Sequence, residues 1–260
     1  MLHYDSSQTS AALPFPELVA AVEKLFAQGC EVPLRHNHAI TDAQNNKIGT
    51  LLLMPAWQPE RWLGVKTVSI FPQNARHNLP GLHSVYILYS AKTGKPAAIF
   101  DGDSITSRRT AAASASAARF LSRKDSKTLL IVGAGRVAEL LPDAYLSVRP
   151  IERFIIWNQT QDKAESLAVR LRDRDLQAEA ATDLAFAVKQ SDIVSCATLS
   201  TTPLILREWL QAGTHLDLIG GFAPDMRETD DACFADTSVF VDTEEALMKA
   251  GDLLSPIAAG

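Results

Sequence analysis

The spacing of apolar residues changes character along the chain. Over residues 14–28, Leu18, Val22, Leu25 and Phe26 recur at helical spacing and Gly29 is placed to stop the helix. A β-rich region follows, with short segments at 49–54, 63–71, 84–90 and 97–100 rich in branched and aromatic residues. Turns such as Lys92-Thr-Gly94-Lys-Pro96 separate them. Asp103 or Ser104 is expected to cap a helix running to about Leu121, whose small residues at 111–118 permit close backbone packing. From Thr128 the rhythm becomes strand, helix, strand. Strands are predicted at 129–132, 154–157, 193–197, 216–219 and 239–241, with helices at 136–147, 161–173, 183–189 and 244–250. Alternation at this spacing predicts an α/β fold, a doubly wound parallel sheet of the Rossmann type. The polar stretch 122–127, with Arg123, Lys124, Asp125 and Lys127, sets the expected boundary between an N-terminal α+β domain (1–122) and the Rossmann domain (123–260).

The run Leu129-Leu-Ile-Val-Gly133-Ala134-Gly135-Arg136-Val137-Ala138 reads as strand, tight turn and helix. Its glycines let backbone N–H groups approach a pyrophosphate that the helix N-terminus also attracts, while the small Ala138 permits close helix–strand packing. A G-x-G-x-x-A alone is unspecific. Here it follows an apolar strand and opens a helix within a repeated βαβ pattern, the context dinucleotide binding requires. Pro142 should kink the next helix or shift its start. An NAD site usually carries an Asp or Glu roughly 20 residues past the loop. Past the second strand this chain has Asn158, Gln159 and Thr160, with Lys163 close by. Nothing there repels a 2′-phosphate, which favours NADP(H), with NAD(H) possible; alternatively Asp162 or Glu165 reaches back to the ribose.

Composition narrows the partners. The 260 residues carry 25 basic and 30 acidic side chains, net charge −5, with no basic block, so nucleic acid is not an expected partner. No apolar run nears the roughly 18 residues of a membrane span, and residues 1–13 do not read as a signal peptide. Cys30, Cys196 and Cys233 are widely spaced, which fits a reducing compartment, by default the cytoplasm. His36, His38, His77 and His83 lack a further ligand at a telling spacing and read as structural, so no metal site is expected.

Three cations stand out in the first domain. Lys66 shares a predicted strand face with Val68 and Ile70. It either meets an anion there or snorkels to water. Arg109, beside Arg108, lies near the start of the 103–121 helix, badly placed for the dipole but well placed to grip a carboxylate. Arg35, before His36, could add a second grip; each arginine alone also reads as a surface residue.

These residues sit in stretches that resemble the ornithine cyclodeaminase/μ-crystallin family, in particular bacterial members that reduce cyclic ketimines. The matching stretches are Met54-Pro-Ala56, Gly64-Val-Lys-Thr67, Phe71-Pro-Gln-Asn74, Thr93-Gly-Lys-Pro96, Asp101-Gly102 and Ile105-Thr-Ser-Arg-Arg-Thr-Ala-Ala112. Val132-Gly-Ala-Gly135, Asp192-Ile-Val, Gly213-Thr-His-Leu and Gly220-Gly221 follow in the same order. The resemblance implies a substrate-binding and dimerisation domain before the Rossmann domain, a homodimer, and a small cyclic imino-acid substrate. It implies that Arg35, Lys66 and Arg109 bind substrate, with Lys66 catalytic. It adds Thr110, Ala197, Thr198 and Gly220 to the cofactor-binding residues of the glycine loop and the Asn158–Thr160 corner.

Two departures from the family pattern matter. Cyclodeaminases carry an aspartate directly after the Gly-Gly pair, where this chain has Phe222, and Asp225 lies three positions on. A phenyl ring cannot accept a proton, so the expected reaction is reduction of Δ1-pyrroline-2-carboxylate or Δ1-piperideine-2-carboxylate to proline or pipecolate. The family also continues past Ala258-Ala-Gly260 with a segment that completes its first domain, which keeps a non-catalytic NADPH-binding protein among the alternatives, beside a cyclodeaminase and an alanine-type dehydrogenase.

Overall fold

The computed structural model describes residues 1–260 apart from the side chain of Ala75. The chain divides into two units, Met1–Arg109 and Thr110–Gly260, within one helix that ends where the expected boundary of 122 lies.

The first unit is built on β1 (Leu2–Tyr4), β2 (His36–Thr41), β3 (Lys47–Trp57), β4 (Trp62–Ile70), β5 (Leu82–Ser90) and β6 (Pro96–Asp101). Their order in the sheet is β1-β6-β5-β4-β3-β2; β1 pairs parallel to β6 and the other pairs are antiparallel. The predicted strands are present; β3, β5 and β6 run past the apolar segments that marked them because ladder pairing carries the backbone beyond the branched residues, while β4 keeps the predicted length one residue earlier. β1 rests on three residues with no alternating pattern of their own. The helices are α1 (Ser6–Ala11), closed by an Asp5/Gln8 capping box, and α2 (Phe15–Gln28), stopped at Gly29 with φ +71° as the periodicity predicts.

The 20-residue α3 (Gly102–Leu121) ends the first unit and opens the second. Neither predicted residue caps it. Asp101 does, its Oδ1 accepting from Ser104 N at 2.7 Å, while Asp103 accepts instead from Ser84 Oγ at 2.5 Å. The sheet decides this, because strand pairing fixes Asp101 immediately before the helix whereas Asp103 falls within its first turn. At the other end Arg149, largely buried, donates to the carbonyls of Ala118, Arg119 and Ser122, satisfying acceptors that a helix C-terminus leaves unpaired.

The second unit has a five-stranded, wholly parallel sheet of β7 (Thr128–Val132), β8 (Arg153–Trp157), β9 (Ala178–Ala180), β10 (Ile193–Cys196) and β11 (His215–Leu218), ordered β11-β10-β7-β8-β9. This is the doubly wound order, with its switch point between β7 and β10. Leu129, Leu130, Ile131 and Val132 of β7 are fully buried, each contributing about 1.5–3 kcal/mol by leaving water. One side of the sheet packs Leu130, Val132, Ile155, Val194 and Cys196 against Val188 and Ile205. Around it lie α4 (Leu141–Leu146), α5 (Gln161–Arg172), α6 (Leu184–Lys189), α7 (Ala246–Lys249) and α8 (Gly251–Ala259).

Pro142 does shift the start of a helix: residues 138–140 form a 3₁₀ turn, and α4 begins with Pro142 in its first turn, where a missing N–H costs nothing. The strand expected at 239–241 is not formed. Val239, Phe240 and Val241 are 49%, 65% and 42% exposed, so their β propensity finds no partner strand. α8 was not legible in the sequence, because Gly251 and Pro256 read as breakers. Gly251 is required there, since a Cβ would lie 2.2 Å from Met226 O.

Candidate active site

In the first unit, strand pairing places Met54, Lys66, Tyr86 and Phe100 in one row across the sheet, and Tyr4 stacks on Phe100 with ring centroids 4.8 Å apart. Gly64 leaves room for Tyr86, whose hydroxyl oxygen would lie 1.8 Å from any Cβ at that position. Lys66 Nζ donates to Thr106 Oγ1 at 3.4 Å. Arg109 lies one turn beyond Thr106 on α3, and Arg35 directly precedes β2. Burial holds the Lys66 ammonium down to about 8, followed by the positive charges of Arg109 and then Arg35; Asp103 opposes them. The three cations singled out in the sequence therefore act on one locus. Arg108 is set apart from its neighbour: its Nε donates to Leu13 O at 2.8 Å and its guanidinium lies 4.3 Å over the Phe15 ring, so it anchors the start of α2.

In the second unit, Gly133 leaves β7 at φ +120°, and a Cβ there would lie 2.6 Å from Ala197 O at the end of β10. The loops after the two central strands thus touch at the switch point. Gly135 faces open space, with nothing within 4 Å of a Cβ position, and Arg136 beside it is exposed. A backbone turn that is bare on its outer side fits a pyrophosphate. Ala134 and Val137 complete this turn, and the helical hydrogen bonds begin with Glu139 N to Gly135 O at 3.0 Å.

Past β8, Asn158 Nδ2 donates to Thr160 O at 3.0 Å and Thr160 is the N-cap residue of α5. Gln159 lies between them, and Lys163 is exposed in the first turn of α5. Thr110 lies on α3, at the start of the second unit and away in sequence from these loops.

The residue that sequence reasoning passed over is Glu228. It is fully buried, and its Oε1 accepts from Thr198 N and Thr198 Oγ1, both at 2.7 Å; Oε2 accepts from Gly220 N at 2.8 Å. Desolvation pushes its carboxyl up to about 7; the Thr198 and Gly220 bonds pull the other way and Asp252 adds to the rise. Asp252, also buried, accepts from Glu228 N at 2.9 Å and Thr229 N at 3.0 Å. Nothing in the sequence marked it: Glu228 stands in the polar run Asp225-Met-Arg-Glu-Thr-Asp-Asp231, where an acid reads as a solvated side chain. Phe222 is 68% exposed and Asp225 is exposed, so this segment presents no buried acid at the position after Gly221.

Two units, one a parallel Rossmann sheet with a glycine turn and one an α+β sheet with a cation cluster, define the class. The ornithine cyclodeaminase/mu-crystallin family profile matches residues 7–257. The chain belongs to that family. A Schizosaccharomyces pombe protein is 46% identical over 258 residues, 96% of this chain and 78% of its own length. The Δ1-pyrroline-2-carboxylate reductase of Paracoccus denitrificans is 38% identical over 262 residues, covering 98% of this chain and 83% of that protein. The Thermococcus litoralis Δ1-pyrroline-2-carboxylate reductase, solved with NADH and L-proline, superposes with a TM-score of 0.88 at 31% identity, over 100% of this chain and 81% of that one.

Proposed function

We propose that the protein reduces the C=N bond of a small cyclic 2-carboxy imine, Δ1-pyrroline-2-carboxylate or Δ1-piperideine-2-carboxylate, with NADPH, giving proline or pipecolate. That it is an imine-reducing oxidoreductase follows from its family and relatives. The ring size and the cofactor's phosphate are our reading. The observation that carries it is the cation locus of Arg35, Lys66 and Arg109 on a fold whose other unit offers a dinucleotide turn.

A bound nicotinamide would supply the hydride for the imine carbon. Everything else falls to the chain's own residues. Arg35 and Arg109 bind the substrate carboxylate, whose charge offsets their mutual repulsion with Lys66. Lys66, held to about 8, is protonated at neutral pH yet gives up its proton readily, as an acid aimed at the imine nitrogen requires. It protonates that nitrogen at Nζ, making the carbon a better hydride acceptor, and regains a proton from solvent. Thr106 Oγ1 orients Nζ. In the second unit Gly133, Ala134, Gly135, Arg136 and Val137 bind the pyrophosphate, with Thr110 a further phosphate contact. Ala197, Thr198 and Gly220 would border the nicotinamide, and Asn158, Gln159, Thr160 and Lys163 would accept the 2′-phosphate without repelling it.

The first unit also supports a homodimer. One sheet face carries Leu51, Leu53, Val65, Val85, Ile87 and Ile99, all half-buried or exposed in the single chain, and a second copy would cover it. Light scattering on the purified protein measures this. No helix among the described residues is long and apolar enough to cross a membrane.

The activity test mixes protein, NADPH and either imine and follows loss of reduced-nicotinamide absorbance, with Arg109→Ala alongside. Oxidation that the variant loses supports the assignment. Cofactor binding without oxidation of NADPH or NADH sinks it, and ammonia release from ornithine would establish a cyclodeaminase despite Phe222.

A further inference from the structure

We propose that Glu228 is a positioning residue for cofactor binding, its ionised carboxylate tying together the loops that leave β10 and β11. The inference rests on the reading that Thr198 and Gly220 border the nicotinamide.

The geometry is that of a clamp. The two loops are joined by one side chain, with Thr198 donating through both its N–H and its hydroxyl to one oxygen and Gly220 donating to the other. Three donors on two oxygens suit a carboxylate, which only accepts. A protonated carboxyl makes one of those oxygens a donor facing a donor, so one loop loses its tether. The loops are also in direct contact: a Cβ at Gly220 would lie 2.0 Å from Thr198 O and 2.6 Å from Glu228 Oε1. Glu228 itself has little freedom. Its N–H donates to Asp252 Oδ1 on α8, and its carbonyl accepts from Leu204 N at 2.9 Å and Ile205 N at 3.0 Å.

The charged and titratable groups around Glu228 are few. Asp252 disfavours its ionisation, and Asp252 is in turn paired with Arg227, at 3.7 Å from its Nε. The neighbouring Cys196 thiol on β10 is held well above its usual range by burial and, next, by the Glu228 charge, so it stays neutral. Balanced against the Thr198 and Gly220 bonds, these leave the carboxyl at about 7, within the range where proton loss and loop tethering are coupled.

The test titrates the full chain with NADH from pH 5.5 to 8.5 by nicotinamide fluorescence, for wild type, Glu228→Gln and Thr198→Val. NADH is the main probe because it lacks a 2′-phosphate, whose own second ionisation near pH 6 would overlay the signal; NADPH is run beside it. The wild type should bind about tenfold more weakly at pH 6 than at pH 8, as expected for one group titrating near 7. Glu228→Gln, which presents an amide N–H to one loop at every pH, should sit at the weak level with a flat profile. Thr198→Val removes a bond that favours the ionised form and should move the midpoint to higher pH. Glu228→Gln that binds as tightly as wild type at pH 8, or that keeps the wild-type pH dependence, overturns the clamp. Should Glu228→Gln lose its near-ultraviolet circular dichroism and prove unfolded, an unshifted midpoint in Thr198→Val overturns it equally. Tight wild-type binding without pH dependence sinks the clamp and leaves the cofactor reading intact. Failure to bind either nucleotide at any pH takes both down.

Discussion

Lys66 in the first unit and Glu228 in the second are ionisable groups displaced by the same force, loss of water, and in each the neutral form gains. Their neighbours answer in opposite ways. Around Lys66 the next largest effects come from Arg109 and Arg35, which compound the desolvation. Around Glu228 the next three effects are hydrogen bonds from Thr198 and Gly220, which oppose it. At Lys66 Asp103 opposes the two arginines, so a carboxylate brought by the proposed substrate would add to that relief. A carboxylate met by three donors is relieved from within, so Glu228 is built to hold protein together. Both pKa values are displaced by desolvation first; it is the sign of the second contribution that differs between the two residues.

The largest effect is expected at the proposed substrate site. Lys66→Met or Arg109→Ala should lower kcat/KM by about 10²–10³-fold, on the order of 3–4 kcal/mol of transition-state stabilisation, with reduced-nicotinamide affinity unchanged. Steady-state kinetics beside a fluorescence titration reads both. Because Lys66 releases its proton as pH rises through about 8, wild-type kcat/KM should fall above that pH, and Lys66→Met should lack the limb. An alkaline limb that persists in the variant would remove Lys66 from the proton path.

The brace has a stability signature next in size. With its carboxyl at about 7 in the folded protein against 4.5 ordinarily, Glu228 keeps its proton in the native state after the unfolded chain has lost it. Its contribution therefore falls as pH rises from about 4.5 to about 7, by up to about 3 kcal/mol, and is constant above and below. Urea unfolding of wild type should show that decline and Glu228→Gln should not. Equal slopes for the two would mean the carboxyl titrates normally.

Gly133→Ala tests the contact beneath the brace. At φ +120° and with Ala197 O 2.6 Å from the new Cβ, it should cost about 2 kcal/mol, read as a lower urea midpoint. The smallest effect concerns cofactor choice. Asn158→Asp should weaken NADPH about tenfold while sparing NADH, since a carboxylate repels the 2′-phosphate and accepts from a free 2′-hydroxyl. Equal losses for both nucleotides would place the phosphate elsewhere.

The sequence by itself determined what depends on local chemistry and period. The glycine turn, the strand that leads into it, the helix stopped by Gly29 and the shifted start at Pro142 all follow from residue types at short range. The same local pattern singled out Lys66 as a cation on an apolar strand face, though not whether it would meet an anion or reach water. Tertiary structure decided the rest. Arg108 and Arg109 are adjacent and chemically alike, and only the packing of α3 sends one to Phe15 and brings the other within reach of Lys66. The apolar run at 239–241 had the composition of a strand and no neighbour to pair with. Glu228 acquired its place from donors 30 and 8 residues away, on loops brought together by the parallel pairing of β10 and β11. Such a partnership leaves no local pattern, because a buried carboxylate is stabilised by whatever donors the fold delivers, and the fold is a property of the whole chain.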